Sequence, residues 1–419
     1  METRLAEAFK GTAEGAAAEA ILRACVHCGF CNATCPTYRL LGDELDGPRG
    51  RIYQIKQVLE GAPATRVTQL HLDRCLTCRN CETTCPSGVE YGRLLDIGRA
   101  VVDAQVRRPG GTRALHWLLR EGLTRRRLFG SAVRLGRALR WALPATLRAT
   151  LAPSRAAGEW PRRSHARKVL LLNSCTQGAL APSIDAATAR VLDAIGIEAL
   201  IEPRSGCCGA IRHHLGDQRG ARDDARRNID AWWPQLESGA VEAIVLNASG
   251  CGALVRDYAH LLAPDAKYAG KARRVSAAAR DLGEFLAREQ AALTRRASAP
   301  SAVRVALHQP CTLQHALRAA DHTEALLRAL GAQLLPVAEA HMCCGSAGTY
   351  SLLQGELSRT LRSRKLGHLL APRPELILSA NVGCIAHLGA ASEVPVWHWI
   401  EWVDRALPAG ESQPTGPDT

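Results

Sequence analysis

The sequence is poor in several features that would each announce a function. No run of eighteen or more uncharged apolar residues occurs in its 419 residues, so no segment reads as a membrane-spanning helix. The opening stretch METRLAEAFKGTAEG mixes both charges and has no apolar core before a small-residue cleavage site, which argues for a cytoplasmic chain rather than a secreted one. Aromatic residues make up only 4%, and no nucleic-acid reader motif is present, so a net charge of +13 does not read as nucleic-acid binding. There is no strand-linked Gly-x-Gly-x-x-Gly, no Walker phosphate loop and no Cys-x-x-Cys-His. Dinucleotide, nucleotide and covalent haem chemistry are therefore not expected of this chain, and no residue is assigned a catalytic role.

Acidic residues are scarce in one region. Between Arg107 and Lys168, fifteen arginines and one lysine face only Glu121 and Glu159, so nearly all the excess charge sits in this segment. It is punctuated by Pro109, Gly110, Gly111, Pro144, Pro153 and Pro161, as a connector with short helices would be. Within it, Leu128, Ala132, Leu135, Leu139 and Leu143 fall on one helical face and Arg127, Arg134, Arg137 and Arg140 on the other. Such a helix suits an anionic membrane surface, with a solvated connector or a docking surface for an acidic partner as the competing readings.

Cysteine is abundant, at sixteen residues, and disulfides do not persist in a reducing compartment, so metal ligation or redox work is the reading to test. Residues 25–36 read CVHCGFCNATCP and residues 75–86 read CLTCRNCETTCP. Cys-x2-Cys-x2-Cys-x3-Cys-Pro is the spacing with which bacterial-type ferredoxins hold [4Fe–4S] clusters, the fourth cysteine serving the other cluster. The expected sets are Cys25, Cys28, Cys31 and Cys85 for the first cluster, and Cys75, Cys78, Cys81 and Cys35 for the second. Paired zinc sites are disfavoured because zinc knuckles lack a third cysteine at the same step. Between the motifs, Ile52, Ile55, Val58 and Leu59 recur at helical spacing and predict one helix.

The other eight cysteines expose a duplication. Cys175, Cys207 and Cys208 recur 136 residues later as Cys311, Cys343 and Cys344, while Cys251 recurs 133 residues later as Cys384. The first and last of each set follow apolar runs of strand character (KVLLLNSC, EAIVLNASGC, VRVALHQPC, ELILSANVGC), with SIDAATARVLDAIG and TEALLRALG as helices. Strand ends in α/β layers gather such residues on one rim. The four sulfurs of each copy suit a further cluster, a dithiol redox site or plain burial. His213, His214, His308, His341 and His398 lie near these cysteines and are expected to be hydrogen-bonded structural residues. Trp232, Trp233, Trp397, Trp399 and Trp402 are expected to anchor cores or interfaces.

The expected fold is a multidomain α+β chain: a ferredoxin-like two-cluster domain (1–100), a basic helical linker (101–168), two α/β Cys-Cys-Gly repeats (169–300 and 301–406) and a flexible tail (407–419). With CVHCGFCNATCPTY, LGDELDGPRGRIYQIKQVLEG, HLDRCLTCRNCETTCPSGV, SGCCGA, NIDAWWP, SGCGALV, CTLQHA, HMCCGSAGTYS and HWIEWV, the chain resembles the iron–sulfur subunits of bacterial glycolate oxidase, also called glycolate dehydrogenase. The resemblance implies flavin-bearing (FAD) partner subunits that oxidise glycolate to glyoxylate, two [4Fe–4S] clusters in this chain, and delivery of electrons to quinone at the cytoplasmic face of the membrane. The ferredoxin spacing alone is shared with lactate, glycerol-3-phosphate and heterodisulfide oxidoreductase subunits. Related Cys-Cys-Gly repeats close with Cys-x-x-Cys, whereas here Leu254 and His387 stand where the last cysteine would be.

Overall fold

The computed structural model describes residues 1–143, 148, 151, 155–297 and 303–408. Pro144, Pro153 and the tail from residue 409 onward lie outside the described residues.

The N-terminal region is helical. The helices Ala13–Ala24, Pro48–Leu59, Arg66–Asp73 and Tyr91–Gln105 enclose a core of Leu22, Ile55, Leu59, Leu72, Leu94 and Leu95. Pro48 occupies the first turn of its helix, where the missing N–H costs nothing. The last helix runs past residue 100 and buries Val102 in the same core, because its apolar stripe continues to that point. Gly98 permits the close approach of this helix to its neighbour, since a Cβ there would sit 2.6 Å from Ile55.

The basic segment follows as two helices, Gly110–Thr124 and Arg126–Ala138. Val133 packs inward, while Leu128, Leu135 and Leu139 are exposed, so the leucine stripe faces away from the protein body. The arginine face differs from the helical-wheel expectation. Arg137 turns inward and donates to the carbonyls of Ala179 and Leu180, because these carbonyls end a short helix against which the segment packs.

The rest of the described chain is a duplicated α/β unit. Strands β1 (Arg167–Leu171), β2 (Ile197–Ile201), β3 (Ala243–Leu246) and β4 (Ala279–Asp281) form a parallel sheet in the order β2-β1-β3-β4. Strands β5 (Arg304–His308), β6 (Gln333–Leu335), β7 (Leu376–Ser379) and β8 (Val396–His398) repeat it in the order β6-β5-β7-β8. Every pairing is parallel, so helices must carry the chain back between strands. The central strands are apolar on both faces because helices cover both. The repeats are fused where Ser249 and Thr312 meet at 2.8 Å and where the His398 ring bonds the Asn247 carbonyl at 2.9 Å. Buried Trp232 and Trp399 anchor the cores, as the sequence suggested.

Candidate iron–sulfur centres

Each ferredoxin-like motif wraps its first three cysteines around a tight loop. His27 and Gly29 in the first, and Thr77 and Arg79 in the second, have φ between +52° and +86°. Three of these four are not glycine, and left-handed backbone costs such residues roughly 1–2 kcal/mol each. That strain repeats at matched positions, and it turns the loop so that its sulfurs converge.

Two recesses result. Cys25, Cys28, Cys31 and Cys85 line one, and Cys35, Cys75, Cys78 and Cys81 line the other, with Cys81 also touching the first. The fourth cysteine of each motif therefore lies in the recess of the other motif. All eight are unpaired thiols. The helix Pro48–Leu59 passes between them and contributes Arg49 to the first recess and Arg51 to the second. Buried Arg51 also donates to the His71 carbonyl at 2.7 Å and to Asp46 at 3.2 Å. Burial pushes the Cys31 thiol up to about 11 and raises those of Cys78 and Cys81 as well. Thiols so desolvated keep their protons until a binding metal displaces them. Four convergent soft donors, apolar walls and a nearby cation suit an anionic cluster of four irons and four sulfides. The first recess opens outward, with Cys28, Val26 and Phe30 exposed beside it, while the second is covered by the second repeat.

In each repeat the strand ends bring the four cysteines together. Cys175 interacts with Cys207, Cys207 with Cys208, and Cys208 with Cys251. In the second copy Cys311 lies 3.8 Å from Cys343, and Cys344 contacts both Cys343 and Cys384. The Cys-Cys-Gly turn is alike in both: Gly209 (φ +94°) and Gly345 (φ +89°) each donate N–H to the first sulfur of the pair at 3.4 Å. A Cβ at Gly345 would sit 2.6 Å from the Ser358 carbonyl oxygen, so glycine is required there. The surroundings differ. Leu172, Leu246 and Ile229 form an apolar floor in the first repeat. At the positions aligned with Leu172 and Leu246 the second has His308 and Ser379, and Lys365 lies near its sulfurs, all three buried.

The second repeat is joined directly to the second recess. Leu76, Cys78, Cys343 and Tyr350 share one apolar cluster with Cys311, and Thr83 bonds the His315 ring at 2.9 Å. Asn80 reaches the His341 carbonyl at 3.3 Å. The first repeat meets the ferredoxin-like domain through His213, which bonds Asp96 at 3.0 Å, with His214 beside it. His398 is structural, capping the helix Trp399–Ala406. Among the five histidines singled out from the sequence, His308 alone clusters with sulfurs, those of Cys344 and Cys384. Sequence reasoning passed over Arg49, Arg51 and Lys365; the alternation of arginines after Pro48 was the available signal for the first two.

Strained cysteine loops on a small helical domain, joined to a duplicated α/β unit with sulfur-lined rims, define an iron–sulfur electron-transfer protein. Comparison with known families agrees: residues 21–89 match the 4Fe-4S dicluster domain, and residues 169–256 and 305–389 each match the cysteine-rich domain. The chain is 51% identical to the glycolate oxidase iron–sulfur subunit of Escherichia coli, over 97% of its own length and 99% of that protein's. It is 30% identical to a probable glycolate oxidase iron–sulfur subunit of Bacillus subtilis, over 87% of each. Lactate utilization protein A of Geobacillus thermodenitrificans is 26% identical over 53% of this chain. The chain belongs to the family of glycolate oxidase iron–sulfur subunits.

Proposed function

We propose that the chain carries electrons within a glycolate dehydrogenase complex, from flavin-bearing (FAD) subunits that oxidise glycolate to glyoxylate toward quinone. Two [4Fe–4S] clusters are held by Cys25, Cys28, Cys31, Cys85 and by Cys75, Cys78, Cys81, Cys35. A further iron–sulfur centre sits in each repeat, on Cys175, Cys207, Cys208, Cys251 and on Cys311, Cys343, Cys344, Cys384. The observation that carries this reading is the packing of Cys78 in one apolar cluster with Cys343 and Cys311, which brings the second ferredoxin-like site beside the second-repeat site. Iron–sulfur clusters pass single electrons, so the two-electron oxidation of an alcohol belongs to the flavin partner.

Anaerobically purified protein should contain more than about eight irons and eight acid-labile sulfides, the complement of two cubane clusters. Zinc without sulfide would overturn the reading. Cys35→Ser should perturb the second cluster and Cys25→Ser the first, whereas damage confined to each residue's own motif would disprove the exchange.

Peripheral membrane contact completes the proposal. No helix among the described residues is long and apolar enough to cross a membrane. The basic segment nevertheless exposes Trp117, Leu118, Leu128, Leu135 and Trp141, the last at 79%. Exposed arginines Arg127 and Arg134 flank this stripe, and apolar side chains beside cations suit an anionic leaflet. Changing Leu128, Leu135 and Trp141 to glutamate should release the complex from vesicles containing phosphatidylglycerol while glycolate still reduces a soluble dye. Unchanged vesicle binding, or loss of the flavin subunits instead, would assign the stripe to another surface.

A further inference from the structure

The two Cys-Cys-Gly sites share their sulfurs and differ beneath them. Leu172 follows β1 and Leu246 ends β3, and the two lie side by side in the apolar core of the first repeat. At the aligned positions of the second repeat, His308 on β5 and Ser379 on β7 are register partners, and Nδ1 of His308 lies 2.9 Å from Ser379 Oγ. The ring is 2% exposed. One of its nitrogens lies within 4.8 Å of sulfurs of both Cys344 and Cys384, which themselves interact.

A buried imidazole that needed only a structural hydrogen bond would be satisfied by serine with its other edge against carbon. This ring instead has a nitrogen within reach of two thiols. When the Nδ1 proton is donated to Ser379 Oγ, the Nε2 lone pair is left for a metal, and such an outer partner commonly fixes the tautomer of a metal-bound histidine. Cys-x-x-Cys closure is absent here, so no fifth cysteine competes for that position.

We propose that His308 is a nitrogen ligand of the metal centre in the second Cys-Cys-Gly site, and that the first site, with Leu172, is ligated by sulfur alone. This rests on the reading that the repeats hold iron. With imidazole at an iron that a thiolate holds in the first site, the second centre carries one negative charge less, and histidine ligation raises iron–sulfur reduction potentials. The second site is therefore the better electron acceptor of the two, and it is the one beside Cys78.

The test uses the assembled complex, prepared anaerobically with and without 15N-labelled histidine, poised so that each centre in turn is paramagnetic. The ferredoxin-like clusters have only cysteine donors, so a directly bound histidine nitrogen in pulsed paramagnetic resonance has one source. We expect a coupling that changes with the isotope, disappears in His308→Leu, and is accompanied by a fall in that centre's midpoint potential. His308→Cys, which keeps a ligand at the position, should retain the iron, lose the nitrogen coupling and lower the potential likewise. A second-repeat centre that contains iron but shows no histidine coupling, or keeps it in His308→Cys, overturns the proposal. A wild-type iron content that stops at about eight per chain, the two-cluster complement, instead overturns the reading beneath it.

Discussion

The two repeats began as one unit and still have the same strand order, the same glycine turn and the same four sulfurs, yet their floors have diverged. In the first, Asn228 and Tyr258 hold the carbonyls of Cys207 and Cys208, and leucine and isoleucine side chains lie beneath. In the second, Lys365 is 2% exposed and, among the described residues, its Nζ donates only to the carbonyls of Glu339 and Ala340, at 2.9 and 3.0 Å. Burial lowers the Lys365 pKa, while the sulfur of Cys344 works in the opposite direction. A buried ammonium without a carboxylate is costly unless another anion balances it, and deprotonated sulfurs on a metal centre would supply that balance. Duplication thus preserved the donor set, while divergence of three residues below it altered the electrostatics.

The strongest break in the comparison comes from the sulfurs. Cys344→Ser and Cys208→Ser should each slow electron delivery to quinone at least tenfold, about 1.4 kcal/mol of barrier, with circular dichroism unchanged. Because Cys78 and Cys343 lie in one apolar cluster, the second-repeat centre should still become reduced in rapid mixing of Cys208→Ser with glycolate. Wild-type turnover in both variants would return these cysteines to packing. A smaller effect is expected from Lys365→Met, which removes two hydrogen bonds and a buried charge. Thermal unfolding should show a loss of about 2 kcal/mol. The second-site potential should become more negative, since a positive charge favours the electron-rich state, and an unchanged potential would separate Lys365 from the centre.

How much of this could be read from the chain depends on the range of the signal. The ferredoxin-like loops and the duplication lie in local spacing, so the cysteine offsets reveal them without a structure. The central strands β1, β3, β5 and β7 were legible as apolar runs, whereas edge strands such as β6, with QLL, are too short to carry a pattern. The helical wheel of the basic segment identified the leucine stripe, but grouped Arg137 with Arg127, Arg134 and Arg140 on one outer face because a wheel does not show the carbonyls of Ala179 and Leu180 waiting on a distant element. The pairing of His308 with Ser379 spans 71 residues and depends on β5 and β7 being neighbours, which is tertiary information. The same holds for the apposition of Cys78 and Cys343.

The subtlest difference between the repeats lies in how they dock on the ferredoxin-like domain. The second uses neutral bonds from Thr83 and Asn80, plus Glu339, which gathers Arg39, Arg364 and His368. Arg364 first, and Arg39 with it, holds the Glu339 carboxyl at about 2, so this carboxylate stays charged through the neutral range. The first repeat relies on His213 and Asp96, with Arg99, His214 and Asp257 facing the pair. Burial works against both charges, but their mutual attraction prevails, raising His213 above 6.5 and lowering Asp96 from 3.8 to about 2. A raised histidine contributes fully below its unfolded value and loses that contribution as pH climbs through its folded one; a depressed aspartate contributes fully above its unfolded value and loses it as pH falls toward the folded one. The first dock is therefore tightest between about pH 4 and 6.5, the unfolded values of the two groups, and loosens on the alkaline side by on the order of 1 kcal/mol, as expected of a partly exposed pair. Amide exchange corrected for intrinsic rate should show the helix Ala210–His214 several-fold less protected at pH 9 than at pH 6, with the turn Thr312–Ala316 at the second dock unchanged. His213→Gln should flatten the first profile at its loosened level. Equal alkaline loss at both docks would mean that the two repeats are held by the same kind of force after all.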